Sequence, residues 1–288
     1  MTATAPTTAA AAEPVPRDAP PARFRDLLAA EWLKTWSLRS TPWMYVITAL
    51  SVVAFNVGTA YDQYRYWNTY DEGSRASFVR DGLPLITAFT ANAAMVLLLA
   101  LAAIGAVAVT AEYGTGLIRT TFTAVPARRS VMAAKVLVLA AVTTVFGAAV
   151  SCASFAATQA VLDARGAGVS LGHPGALQVV AASALLAPVA ALTGLAVGTV
   201  IRHTAGSVVA GVVLLILVPV FLSERRHLTA VLAHTLPFTA WQRLTETAVR
   251  NGPPEMFPWS ETGAWTVCVL WLLVACAVPV LVVGRRDH

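Results

Sequence analysis

The stretch "PLITAFTANAAMVLLLALAAIGAVAVT", residues 84–110, carries no charged side chain and runs directly into "AEYGTGLIRTTFTAVPARR", residues 111–129, which is polar, contains glycine and is basic. An apolar helix needs about 20 residues to cross a hydrocarbon core roughly 30 Å thick, because it rises only about 1.5 Å per residue. Residues 84–110 satisfy that length, and so do five more runs at 42–60, 131–162, 176–201, 205–223 and 263–284. The run from 131 is too long for an upright span, which predicts tilt or an extension beyond the bilayer. The whole chain agrees: of 288 residues, 57% are hydrophobic and only 12% charged, with a mean hydropathy of +0.67, whereas soluble domains are about a quarter charged. The expected fold class is an all-α polytopic membrane protein with six transmembrane helices.

The first 21 residues, "MTATAPTTAAAAEPVPRDAPP", lack an apolar core behind a basic start, so they predict a disordered cytoplasmic tail and not a cleavable signal. With that end inside, the inner segments hold Arg17, Arg23, Arg25, Lys34, Arg39, Arg119, Arg128, Arg129, Lys135, Arg202, Arg285 and Arg286, twelve of the 20 Lys and Arg. The contrast is sharpest in the short connections, where Arg128, Arg129 and Lys135 inside face Arg165 alone between the third and fourth spans outside. Both termini are therefore expected in the cytoplasm. The net charge of +5 is accounted for by basic residues beside anionic headgroups and calls for no nucleic acid.

Residues 22–41 precede the first span. On a helical wheel Phe24, Leu27, Leu28, Trp32 and Trp36 share one broad side, interrupted by Arg25 and Glu31, which predicts an amphipathic interfacial helix. Residues 61–83, "YDQYRYWNTYDEGSRASFVRDGL", read as an external loop with interfacial aromatic residues. Between the fifth and sixth spans, residues 228–249 are semi-apolar and interrupted at Pro237, a pattern for two short helices that dip into the membrane or lie on its outer face; the Asn251–Gly252–Pro253–Pro254 cluster ends any helix. Residues 42–288 are expected to form one six-helix domain.

Cys152, Cys268 and Cys276 all fall within spans and read as packing residues. His203 reads as a tolerated interfacial histidine. No GxxxxGK[ST], HExxH or GxSxG occurs, so ATP hydrolysis is not expected on this chain. No acidic or basic residue lies deep within the spans, whose polar residues are Asn56, Asn92, Gln159 and scattered Ser and Thr; the charge that ion coupling generally uses is missing. Sodium sites built from backbone carbonyls stay open. The Gly194 to Gly198 spacing permits close helix packing.

In the opening stretch, residues 115–124 predict a short helix with Thr115 as N-cap, ended before Pro126, with Leu117, Thr120, Thr121 and Ala124 on one face and Ile118, Arg119 and Phe122 elsewhere. Physically, such a helix either passes motion from a partner to the spans or merely fixes topology.

Three motifs, "AEWLKTWSLRSTPWMYV" (30–46), "TAEYGTGLIRTTFTAVPARRSVMAAKVLVLA" (110–140) and "HTLPFTAWQRL" (234–244), together resemble the membrane-spanning permease subunits of bacterial ABC exporters of the ABC-2 type. The resemblance in layout extends over nearly all of the chain after residue 22. It implies a plasma-membrane permease that dimerises into a 2+2 complex with a separate cytoplasmic ATPase subunit, which would carry ATP and Mg; no cofactor is implied in this chain. It implies a cytoplasmic coupling element at Glu112, Tyr113, Gly114, Thr115, Gly116, Leu117, Ile118, Arg119 and Thr120. It also implies a connecting helix around Glu31, Trp32 and Lys34, and external re-entrant helices around Pro237, Phe238 and Trp241. Trp241 and Arg243 are bulkier than the small residues expected after that proline. An ion-coupled secondary transporter, and a non-transporting membrane anchor or sensor subunit, are the other readings that the residues allow.

Overall fold

The computed structural model describes residues 23–222, 226–246 and 257–286. The expected tail at 1–21 and the Asn251–Pro254 cluster lie outside these. The described residues are mostly helical, without a strand, and six helical stretches are long and apolar enough to cross a membrane: Ser40–Thr69, Leu83–Gly114, Arg128–Asp163, Ala176–Ile201, Thr204–Phe221 and Glu261–Arg285. The chain is a multi-pass membrane protein.

The elements in order are α1 (Phe24–Ser37), α2 (Ser40–Tyr66), a 3-10 turn (Trp67–Thr69), α3 (Glu72–Arg80), α4 (Leu83–Ala88), α5 (Ala91–Gly114), α6 (Leu117–Ala124) and α7 (Arg128–Asp163). Then follow α8 (Ala176–Ile201), α9 (Thr204–Val212), a π-helical segment (Val213–Leu217), α10 (Val218–Phe221), α11 (His227–His234), α12 (Pro237–Thr245) and α13 (Glu261–Arg286). α1 packs beside Lys135 at the start of α7, and Gly284 near the end of α13 lies against Arg129, so both ends of the described chain sit on one side.

The centre is the pair α5 and α8, packed against α7. Lipid tails are as apolar as leucine, so these helices gain little from burial and depend on close van der Waals contact through small residues. Gly105 provides it on α5: a Cβ there would collide with the carbonyl oxygen of Ala191. Gly194 on α8 lies equally close to the carbonyl of Ala102, Gly198 faces Ala106 and Val109, and Gly147 on α7 meets the backbone of Ala184. The 194/198 spacing is thus a packing seam. α2, α9 to α10 and α13 surround this centre and expose Trp43, Ile47, Leu50, Val209, Val220, Phe221, Leu270 and Leu273.

The second span is broken, which its apolar sequence did not predict. Phe89 takes extended angles between α4 and α5, freeing backbone groups at the break. Asn56 of α2 repairs the break: its Oδ1 accepts from the Thr90 N–H at 2.8 Å and from Thr90 Oγ1 at 2.9 Å, and its Nδ2 donates to Ser154 Oγ at 2.6 Å. Ser154 Oγ in turn donates to the Ala88 carbonyl at 3.0 Å, and Gln159 Nε2 caps Pro84 O at 2.9 Å. Non-helical backbone survives at such depth only when protein satisfies it.

One further expectation is corrected. Residues 61–83 are mostly helical, because α2 continues to Tyr66 and α3 folds Phe78 into a small core with Ala60, Leu162 and Ala167. On α1, Leu27 and Glu31 face the protein, Leu27 packing on Val131 and Ala134 of α7, while Phe24, Trp32 and Trp36 are exposed.

Gly105→Val and Gly194→Val should each cost about 2 kcal/mol or more, since the colliding atoms are backbone. Gly58→Ala, where a Cβ meets nothing within 4 Å, should be neutral or slightly stabilising. Thermal midpoints of the purified chain check both.

Candidate functional site

At the α1 end of the molecule, four charges from three elements meet. Lys135 of α7 donates from Nζ to Glu31 Oε2 at 2.6 Å and to Glu112 Oε1 at 2.8 Å. Lys34 lies 2.7 Å from Glu31 Oε1 and 3.3 Å from Glu112 Oε1. The result is a closed, alternating ring of two carboxylates and two ammoniums with no net charge. Only such compensation makes burial tolerable, because an unpaired ion would keep its full desolvation penalty. Glu31, Glu112 and Lys135 are buried; Lys34 is partly open. Burial alone would lower the Lys34 pKa, but the hydrogen bond to Glu31 and the charges of Glu112 and Glu31 outweigh it and hold the ammonium above the ordinary lysine value.

Glu112 occupies the last turn of α5, and the chain then reverses. Thr115 is the C-cap of α5: its N–H and its hydroxyl both donate to Ala111 O, at 3.0 and 2.9 Å. The expectation that Thr115 is the N-cap of the next helix is corrected, since that place belongs to Gly116, whose φ of 74° is left-handed. Such angles are natural to glycine and costly for other residues. Gly114 has ordinary angles and open space where a Cβ would stand.

α6 is anchored by Ile118, only 5% exposed, with Phe122 half-buried beside the core. Leu117, Thr120 and Ala124 are exposed while Ile118 and Phe122 turn inward, as the expected faces have it, but Arg119, grouped with the inward pair, is exposed as well. The hydroxyls of Thr120, Thr121 and Thr123 donate back to carbonyls of α6 itself. Under the helix Tyr113, Ile118, Arg119, Phe122, Thr123, Arg128 and Arg202 enclose a cavity of about 500 Å³. The Arg202 guanidinium lies over the Tyr113 ring at 4.9 Å, and that of Arg128 over Phe122 at 5.6 Å. His203 caps α9, its Nδ1 accepting from the Gly206 N–H at 3.2 Å.

The residues singled out at the opposite end are packed, not loose. Pro237 starts α12, Phe238 stacks on Trp241, and Trp241, 2% exposed, donates from Nε1 to Ser183 Oγ at 3.0 Å. Arg243 donates to Trp259 O at 3.0 Å and pairs with Glu246 at 2.9 Å. Trp241 therefore bolts α12 onto α8. Among the described residues no cluster of His, Cys, Asp and Glu could hold a metal ion.

The structure thus brings Glu31, Lys34 and Glu112 together and adds Lys135, which the sequence marked only as an inner charge. Trp32 points away from this ring. Glu112 to Lys135 is a separation no local pattern reveals; the clue was a lysine inside a run otherwise read as membrane-spanning. Comparison with models of known protein families and with curated proteins returns no match for this chain.

Lys135→Met should destabilise the protein by about 3 kcal/mol, because it leaves two buried carboxylates sharing one partly exposed ammonium. Combining it with Glu112→Leu should cost less than the sum of the two single changes, as a double-mutant cycle of thermal midpoints would show. The raised Lys34 pKa contributes stability that is complete below the ordinary lysine range and is lost as pH rises through its folded value. A titration of the midpoint should therefore show no loss from this group through neutral pH and a decline only in strongly alkaline solution.

Proposed function

We propose that the chain is the membrane-spanning permease subunit of an ATP-driven exporter of the ABC-2 type, working as a dimer and driven by a separate cytoplasmic ATPase. The observation that carries this reading is α6. It is a short helix pinned by one buried isoleucine between two long spans, with Leu117, Arg119, Thr120 and Thr123 outward, and the turn before it is tied through Glu112 to both α1 and α7. A partner pressing on the exposed face would move α5, α7 and α1 as one body, since the ring leaves them little freedom to slide independently. That is the mechanical requirement for turning closure of an ATPase dimer into a shift between inward- and outward-facing states.

On this reading the α1 side is cytoplasmic, in the plasma membrane of a bacterium, with both termini inside. That orientation also puts Arg119, Arg128, Arg129 and Arg202 on the inner side. The apolar surfaces of α2, α9 to α10 and α13 would be shared between lipid and a second permease. α11 and α12 would form the external re-entrant pair, with Trp241 as its fixed point. ATP and Mg would belong to the partner.

Of the residues in the coupling element, Arg119 makes the cleaner test, because it is exposed, whereas Glu112 also holds the ring together. Arg119→Glu should leave the thermal midpoint within about 0.5 kcal/mol of wild type, while reducing recovery of a P-loop ATPase in a pull-down from the native cells and abolishing ATP-dependent flux. Glu112→Arg should lose both coupling and stability. Normal partner recovery and flux in Arg119→Glu and Glu112→Arg alike would sink the assignment.

A further inference from the structure

Beside the ion-pair ring, on the side of Ile104 and Leu139, lies a cavity of about 330 Å³ between the α1–α2 elbow, α5 and α7. Its floor is polar, formed by Glu31, Lys34, Glu112 and Lys135, and its walls, which include Met44, Ile104, Val107 and Leu139, are apolar. Tyr45 lines it too. That side chain is 6% exposed, and its ring is held edge-on by Phe146 at 5.0 Å and flanked by Trp36 at 6.2 Å. Its hydroxyl is buried and has no hydrogen-bond partner among the described residues. A phenol fixed in this way, able to donate and to accept, is a costly thing to leave unmet.

We propose that this cavity binds a single-chain amphiphile with an uncharged hydrogen-bonding headgroup, of the monoacylglycerol class, taken from the leaflet on the α1 side. Three observations choose that chemistry. The walls suit an alkyl chain, and the volume is at the lower end of the range for small-molecule sites, roughly 300–1,000 Å³, too small for a two-chain lipid. The ring is already paired internally and has no net charge, so an ionic headgroup of either sign would meet repulsion as well as attraction; an ester or hydroxyl meets Tyr45 without that conflict. The cavity also sits at the first turns of α2, beside the exposed Trp36 and Trp43, at the depth where headgroups give way to chains.

The site is independent of the exporter reading, and its test measures binding, not transport. The full chain is placed in phosphatidylcholine nanodiscs and photolabelled with a diazirine-bearing dodecanoylglycerol, and the labelled peptides are mapped by mass spectrometry. Labelling is expected to concentrate on residues 104–112 and 135–139. Tyr45→Phe should weaken it about three- to tenfold, the equivalent of one hydrogen bond, while leaving the ligand-free thermal midpoint unchanged or higher. Ala111→Trp, at an exposed cavity-lining position, should abolish labelling in protein that still elutes as a folded species. Unlabelled dodecanoylglycerol should compete better than dodecanoate or a lysophosphatidylcholine. Labelling spread over α9 and α13, labelling insensitive to Tyr45→Phe, or a lowered ligand-free midpoint in that variant would overturn the site; stronger competition by either charged amphiphile would overturn the headgroup.

Discussion

Hydrocarbon offers no hydrogen bonds, so every backbone amide and every charge of this protein that is kept from water must find its partner inside the chain. That constraint makes the described residues helical, and it explains the two places where the fold departs from plain helices. At Phe89 and Thr90 the second span is interrupted, and Asn56, Ser154 and Gln159 supply the missing partners from neighbouring helices. At the α1 end, four ionisable side chains are buried together, and they are tolerable there because they neutralise one another in pairs.

The two polar clusters divide the molecule into functions. The uncharged one lies toward the far end and locks α2, α4, α5 and α7, while Trp241 and Gln178 fasten α12 to α8 nearby. The charged one gathers α1, α5 and α7 directly beneath the turn into α6. Between them, α5 and α8 approach so closely through glycine that a side chain at Gly105 or Gly194 would meet the backbone of the facing helix. The cavity beside Tyr45 lies where this centre meets the α1–α2 elbow, so an amphiphile bound there would touch both α1 and the ring.

Much of the architecture was legible from residue type alone. The run at 176–201 coincides with α8, and four of the other five spans appear within a few residues of their expected places, because length and apolarity follow directly from bilayer thickness; the first runs nine residues past its expected end. The short helix before Pro126 followed from periodicity and the proline. The partner of Glu31 on α1 did not, since Lys135 is 104 positions away in sequence.

What the sequence by itself determined is therefore the class, a six-span helical membrane protein, together with the place and polarity of the segment between its second and third spans. Tertiary structure alone decided which polar residues meet and what each of them satisfies. Asn56 and Gln159 repair backbone, Trp241 fastens a helix, and Glu112 is half of a buried charge exchange with Lys135. The physical reason is that hydrophobic periodicity is a local property of the chain, whereas the neutralisation of a buried charge or an orphaned carbonyl depends on what another helix happens to bring within 3 Å.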